Sequence, residues 1–335
     1  MFANKSCVRV AVTGGAGQVA YALLPLIACG RMLGPKQHIQ LNLLDVEPTM
    51  NVLEGIRVEL TDCLFPLLDR VVITSDPKVA FEKADVVILC GSVPLKPGMV
   101  RRDLLRGNMG LIEEQGRVLG EVADPDCHVC IVTNPVNTIA CVLLDASNGK
   151  LKPKNVTSLT RTDHNRATAL VAERAHALAE DVKNCIIWGN HSSTQVPDIN
   201  SATVKGVPVR EVIKDDAFLD GEFMEIVRDR GYKVVRLRGR SSGLGVASAT
   251  IDHVHDWILG TPEGKHVSMV VRSDGNPYGV PPGLFFSFPV KCSRGEWQFV
   301  DNAKITPKVA ELLAVTTKEL EEERAEAESM RSGAV

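Results

Sequence analysis

Residues 8–20 constrain the fold most. Val8 to Thr13 is a short apolar run that breaks into Gly14-Gly15-Ala16-Gly17-Gln18-Val19-Ala20, and an apolar helical pattern follows through Leu23, Leu24, Leu26 and Ile27. A buried strand that turns on glycines into a helix start makes a phosphate cradle. Glycine lets a ligand approach the backbone, and the helix N-terminus presents N–H groups with no partner of their own. The spacing is Gly14-x-x-Gly17-x-x-Ala20, not the full G-x-G-x-x-G, and a plain turn also uses glycines. The placement between strand and helix favours a nucleotide site.

The next apolar run, 38–44, ends on Asp45. An acid at the end of the second strand accepts hydrogen bonds from both ribose hydroxyls of an adenosine and repels a 2′-phosphate. Asp45 comes 28 residues after Gly17 (45 − 17). The general fingerprint has roughly 20, and a longer first helix and loop absorb the difference. No arginine follows Asp45 directly, which favours NAD over NADP. Further strands are predicted over 71–74, 86–91 and 128–133, with helical patterns at 52–64 and 78–82. Val86-Val87-Ile88-Leu89-Cys90 is apolar throughout, as suits a parallel strand covered on both faces. This alternation predicts an α/β fold with a doubly wound, mostly parallel Rossmann sheet over residues 1–157.

Residues 158–335 alternate less regularly and are expected to form a second, α+β substrate domain. A basic helix spans 222–240, and Ser241-Ser242-Gly243 opens another over 244–257. An antiparallel set follows over 267–272, 284–289 and 296–301. The last helix opens at Thr306-Pro307 and runs to about Met330; its acidic end, 318–328, reads as a solvated face.

Composition excludes several classes. With 335 residues, 44% hydrophobic and 24% charged, the chain has room for a large core and two domains. The net charge of −3 and the lack of a basic block with interleaved aromatics argue against a nucleic-acid surface. No apolar run approaches the roughly 18 residues of a membrane span. No leader-like region precedes the first strand, and Ser332-Gly333-Ala334-Val335 matches no common address signal, so the cytosol is the expected compartment. The nine cysteines lie mostly in apolar runs and fit reduced, buried thiols rather than a disulfide framework. Cys127-His128-Val129-Cys130 lies in a predicted strand, whereas a redox pair needs a helix start, so both are read as core thiols. His253 and His255, two apart on a helix, point to different faces, and no metal site is expected.

The candidate chemistry gathers in three stretches. In Thr160-Arg161-Thr162-Asp163-His164-Asn165-Arg166, Asp163 and Arg166 are three apart and share one face if the segment is helical. The carboxylate suits an imidazole, and the guanidinium suits a substrate carboxylate held by two parallel hydrogen bonds. A surface salt bridge is the plainer reading of that pair alone. The imidazole is His191, at the end of a buried strand over 185–188. The segment Ser92-Val93-Pro94-Leu95-Lys96-Pro97-Gly98-Met99-Val100-Arg101-Arg102-Asp103 follows a strand's carboxyl end and is a candidate lid. Arg101 and Arg102 begin the next helix, an unfavourable place for cations unless a charged ligand balances them. Asn134, at another strand end, suits a substrate or a nicotinamide ribose.

Together these stretches resemble the cytosolic-type malate dehydrogenases of the lactate/malate dehydrogenase superfamily. Thr13 to Gln18, Leu43-Leu44-Asp45, Gly98 to Leu105, Asn134-Pro135-Val136-Asn137, Asp163 to Arg166, and Ile186 to Gln195 with its Trp188-Gly189-Asn190-His191-Ser192-Ser193 carry the likeness. So do Gly260 to Gly264 and Asp274 to Gly279. The resemblance covers nearly the whole chain and implies NAD as cofactor, a small 2-hydroxy or 2-oxo acid as substrate, and a homodimer. It implies that His191 exchanges the proton and that Asp163 is its carboxylate partner. Arg166 would clamp the C1 carboxylate and Arg101 would polarise the reacting carbonyl. Asn134 and Asn108 would contact substrate and cofactor, and Ser242 would approach the substrate. The cofactor would lie against Gly14, Gly17, Gln18, Val19, Ala20, Asp45, Gly91 and Val132.

One position departs from the family pattern. After the lid's Met-Pro or Val-Pro the family normally carries an arginine, which pairs with the second carboxylate of malate; here it is Leu95. A carboxylate facing leucine in a closed, dry site is costly unless another cation, Lys96 or less readily Arg102, reaches it. L-malate and oxaloacetate follow from the resemblance, and a monocarboxylic 2-hydroxy acid, lactate-like or aromatic, follows from Leu95. A catalytically silent NAD-binding sensor is the alternative of another class. A metal-assisted NAD-dependent hydrolase would need a Cys/His ligand pair that the sequence lacks.

Overall fold

Strand β1 (Cys7–Thr13) passes through the glycine turn into α1 (Gln18–Ala28), and the strand–helix unit then recurs. Its members are β2 (His38–Leu44), α2 (Met50–Asp62), β3 (Leu68–Thr74), α3 (Pro77–Phe81), β4 (Val86–Leu89), α4 (Arg101–Val122), β5 (His128–Ile131), α5 (Val136–Ala146) and β6 (Val156–Ser158). The computed structural model describes residues 2, 5–93 and 101–332. The six strands are parallel, in the spatial order β3-β2-β1-β4-β5-β6, which is the predicted doubly wound sheet. β3 begins at Leu68, ahead of the predicted Val71, because β2 offers backbone partners to that polar stretch (Ile39 to Leu68, Gln40 to Arg70). Side-chain pattern does not reveal such pairing.

β4 shows why its sequence is apolar throughout. Val86 and Ile88 join a core with Leu23, Leu24 and Ile27 of α1 and Leu53 of α2. Val87 and Leu89 face the other way, against Leu105 and Ile112 of α4 and Ile139 and Leu143 of α5. Successive side chains alternate faces, so a strand covered twice has no polar side. Burying each of these four residues contributes on the order of 2 kcal/mol.

The second half contributes α6 (Arg161–Arg174), β7 (Val182–Lys183), β8 (Ile186–Trp188), β9 (Val196–Asp198), β10 (Thr203–Val204), β11 (Val207–Pro208), α7 (Val209–Ile213), α8 (Phe223–Arg238), α9 (Leu244–Leu259), β12 (Val267–Arg272), β13 (Phe285–Ser293), β14 (Glu296–Phe299) and α10 (Pro307–Arg331). The antiparallel set β12-β13-β14 forms as predicted. It does not stand apart: β12 pairs antiparallel with β6 at Val270 and Ser158, giving one nine-stranded sheet. The outer edge of β6 carries a row of backbone donors and acceptors that a neighbouring strand satisfies. α10 opens on Thr306, whose hydroxyl accepts from the Val309 N–H at 3.3 Å, with Pro307 at the first helical position.

The strand order reverses between β1 and β4, so the carboxyl ends of β1, β2, β4 and β5 open on a common crevice. They deliver Gly14, Asp45, Gly91 and Val132 to Asn134 there.

The cysteines divide more evenly than expected. Cys127, Cys130, Cys141, Cys185 and Cys292 are buried, but Cys29 and Cys63, at the ends of α1 and α2, are exposed because a helix end faces solvent regardless of the apolar residues before it. Burial drives the Cys127 and Cys130 thiols far above their ordinary value, so that pair is inert.

Four histidines are buried as neutral rings. Burial lowers His253 to about 3, lowers His266 to about 4, holds His164 well below its ordinary value, and lowers His128 as well. His253 meets the Thr157 hydroxyl at 2.9 Å, while His255 on the same helix is half-buried. An unfolded histidine titrates near about 6.5, above all four folded values. The stability associated with these rings is therefore complete above that pH and is lost as pH falls toward the folded values. Unfolding below about pH 6 is expected to take up as many as four further protons, each lowering stability by about 1.4 kcal/mol per pH unit. Calorimetry from about pH 7 to about pH 4.5 reads this directly; a melting temperature that stays flat across the window contradicts it.

Candidate active site

Asp163 stands in the first turn of α6, where the helix dipole favours an anion, and it is completely buried. His191 Nδ1 lies 2.8 Å from its Oδ2, Arg166 Nη1 donates to its Oδ1 at 2.8 Å, and Gln195 Nε2 donates to Oδ1 at 3.4 Å. Burial alone would raise this carboxyl. The His191 ring and then the Arg166 guanidinium more than offset that, and hold Asp163 below the usual carboxylate range. The surface-salt-bridge reading of Asp163 and Arg166 does not hold, because Arg166 is itself only 16% exposed.

The turn after β8 presents the imidazole. Gly189 has φ +92°, and a Cβ there would stand 2.4 Å from Thr316 Cγ2 of α10, so glycine both makes the turn and admits that helix. Gly189 exchanges backbone hydrogen bonds with Ser287 of β13 at 3.2 and 3.0 Å. The His191 N–H donates to Asn137 Oδ1 at 2.9 Å. Asn137, fully buried at the start of α5, donates to the carbonyls of Phe285 at 2.9 Å and Gly189 at 3.3 Å. The backbone of His191 is thus pinned to the main sheet, while its side chain remains 24% exposed.

The cofactor side is built from the strand ends. Gly14 has φ +64°, and a Cβ on it would lie 2.7 Å from Gly91 Cα, so the turn after β1 and the end of β4 meet at backbone distance. The Gly91 N–H donates to Thr13 Oγ1 at 3.0 Å, and the Thr133 hydroxyl donates to the Gly91 carbonyl at 2.7 Å. Gly17 and Gln18 are exposed, and no side chain caps α1. The N–H groups of Gln18, Val19 and Ala20, in the first turn, lack intrahelical partners and suit an anion. Asp45 accepts from the N–H groups of Ala16 at 2.9 Å and Val46 at 2.8 Å, which fixes its carboxylate at the rim of the same turn. A phosphate cradle beside an oriented ribose acceptor fits a dinucleotide. Gln18 Nε2 also donates to Ser241, at 2.8 Å to Oγ and 2.9 Å to the carbonyl, tying the turn to the loop before α9 where half-buried Ser242 follows.

Other predicted residues fall differently. Asn134 is exposed at the crevice and Val132 partly so. Asn108 is fully buried; its side chain accepts from the Val93 N–H at 2.8 Å and donates to the Asn134 carbonyl at 2.9 Å. In this geometry its amide braces two loops instead of facing a ligand, a preference that sequence alone does not show. Arg101 is the first residue of α4, and Leu95 and Lys96 lie outside the described residues. Arg102 forms an ion pair with Glu326 of α10, which directs it away from the substrate role considered for it. A cavity of about 480 Å³ near the start of α10, lined by Asp198, Arg210 and Lys304, contains none of the residues around His191. Asn137 and Gln195 were not singled out by sequence reasoning, although both lie in the stretches that carry the family resemblance.

The comparisons agree with this geometry. Residues 8–158 match the NAD binding domain of lactate/malate dehydrogenase, and residues 160–330 match its alpha/beta C-terminal domain. The chain is 47% identical to the cytoplasmic malate dehydrogenase of Zea mays over 324 residues, 96% of this chain and 97% of that protein. The malate dehydrogenase structure from Naegleria fowleri superposes with a TM-score of 0.92 at 38% identity, covering 96% of this chain and 98% of that one. Trichomonas vaginalis lactate dehydrogenase in complex with NADH and oxamate gives a TM-score of 0.93 at 35% identity, covering 97% and 99%. A matched NAD binding domain and a crevice that fits the dinucleotide make NAD the cofactor, and the chain belongs to the lactate/malate dehydrogenase family of NAD-dependent enzymes.

Proposed function

We propose that this chain interconverts L-malate and oxaloacetate with NAD, in the cytoplasm and as a homodimer. The observation that carries the chemistry is the imidazole of His191 at 2.8 Å from a carboxylate that is itself buried and paired with Arg166. The choice of malate and of compartment rests on the likeness to cytoplasmic malate dehydrogenases. The dimer rests on the family resemblance and on α2, which turns Val52 and Val58 to solvent. Residues 1–157 hold the cofactor, through Gly14, Gly17 to Ala20, Asp45, Gly91 and Val132, and residues 158–335 supply most of the substrate groups.

Bound NAD, held by the glycine turn after β1 and by Asp45, would supply the hydride acceptor and donor for C2 of a 2-hydroxy acid. Asp163 keeps the proton of neutral His191 on Nδ1, which leaves Nε2 to take the substrate hydroxyl proton. The imidazolium that forms is balanced by the same carboxylate. Arg166 binds the C1 carboxylate through parallel N–H groups, and Arg101 stabilises negative charge on the reacting oxygen. Asn134 and Ser242 line the substrate and nicotinamide end of the crevice, with Asn108 behind them.

A second reading, reduction of a monocarboxylic 2-oxo acid, rests on Leu95, which stands where the resembled family normally carries an arginine. Steady-state rates with oxaloacetate, pyruvate and phenylpyruvate separate the two. Oxaloacetate preferred over both others supports the malate reading, and the reverse order overturns it. Leu95→Arg is expected to raise kcat/KM for oxaloacetate about tenfold or more if the monocarboxylic reading is right, the worth of a paired charge in a dry site. An unchanged preference counts against that reading. His191→Asn is expected to lose about 10³-fold in turnover, the range of general acid–base catalysis, with NADH binding by fluorescence titration unchanged. Turnover within a few-fold of the wild type contradicts the role given to His191.

A further inference from the structure

The acidic end of α10 is only in part the solvated face that composition suggests: Glu321, Glu322 and Glu328 are exposed, whereas Glu319 and Glu323 are half-buried. Thr316, Glu319 and Glu323 lie on one side of the helix, three and four residues apart, and Thr316 is fully buried. One carboxylate oxygen of Glu319, Oε2, accepts from Asn190 Nδ2 at 2.8 Å and from the hydroxyls of Ser192 and Thr194. Glu323 accepts from Asn190 Nδ2 at 3.1 Å and from the Thr138 hydroxyl of α5 at 2.7 Å. The Asn190 N–H donates to Thr316 Oγ1 at 2.9 Å. These donors bracket His191 in the chain, one residue before it and one and three residues after it.

Residues 190–195 form neither strand nor helix, so side-chain hydrogen bonds rather than a backbone ladder decide where the imidazole sits. Asp163 fixes only the Nδ1 edge of the ring. The loop offers hydroxyl and amide donors, and a carboxylate accepts several at once without needing to donate. Charge-assisted bonds of this kind are roughly twice as strong as neutral ones. We propose that Glu319, seconded by Glu323, is a positioning residue for the proton-transferring imidazole: α10 sets the distance between His191 Nε2 and the substrate oxygen. The inference rests on the role given to His191 above.

The test compares Glu319→Ala, Glu319→Gln and Leu320→Ala in the full chain, with whichever 2-oxo or 2-hydroxy acid the wild type turns over. Leu320 is buried in the neighbouring core and, being apolar, makes none of the loop's side-chain hydrogen bonds. Glu319→Ala is expected to lower kcat by up to about 10²-fold, as a displacement of roughly 1 Å does, with KM and NADH affinity little changed. The primary deuterium isotope effect on kcat should rise as the chemical step slows relative to product release. Glu319→Gln, whose amide oxygen still accepts, should recover most of the lost kcat. Leu320→Ala should lower the melting temperature and leave kcat and the isotope effect as in wild type.

Glu319→Ala with kcat within about twofold of wild type overturns the proposal, as does a loss shared equally by NADH affinity. If Glu319→Ala does not fold, the double variant Ser192→Ala, Thr194→Val carries the same expectation from the other side of the contact, and normal kcat there overturns it. A wild type that binds NADH but turns over none of the three acids overturns the functional reading and this proposal together, whereas an active wild type with a normal Glu319→Ala overturns this proposal alone.

Discussion

A carboxylate taken wholly out of water is strongly destabilising unless cations and donors meet it, and Asp163 is in that position. Its partners come from separate places: Arg166 from the next turn of α6, His191 and Gln195 from either end of the loop after β8. Arg166 shares the helix of Asp163, but His191 and Gln195 reach the carboxylate only when α6 and the loop after β8 are docked together. The assembly of the Asp163–His191 pair is therefore part of folding and not a later adjustment. The same pairing holds Asp163 ionised, so the imidazole always has a counter-charge beside it.

The rest of the site repeats this economy of fixed parts. Gly189 lets α10 approach to where any side chain would collide, and Gly14 lets β1 and β4 meet at Gly91. Both glycines serve backbone packing first, and the ligand-facing geometry follows from it. The reacting centre rests on strand ends and helix starts. Leu95, which stands where the resembled family normally carries an arginine, precedes α4 in the sequence.

Much of this was legible in the sequence, because the informative residues obey short-range rules. Three-residue spacing placed Asp163 beside Arg166. A continuous apolar run announced the doubly covered β4, and the strand–glycine–helix order announced the cradle. The failures share a different cause. That β12 extends the main sheet is a matter of which strand edge lies open, which pattern does not encode. Asn108 turned inward to brace backbone, and Arg102 turned to Glu326, because partners distant in sequence were nearer than a ligand. The acidic stretch of α10 looked uniformly exposed. Yet Leu313, Thr316, Leu320 and Ala327 trace its buried stripe, and Glu319 and Glu323 flank that stripe where the helix meets the loop of His191.

The junction between β6 and β12 has a mechanical consequence. Because Ser158 and Val270 belong to adjoining strands of a single sheet, the half that carries the glycine turn and the half that carries His191 are joined through continuous β-structure. The relative placement of the two is thereby tied to the pairing of the sheet, and the connecting segments at its rim lie outside that pairing. A fold wired this way can change what it recognises by altering a few peripheral positions while its reactive centre is passed on intact.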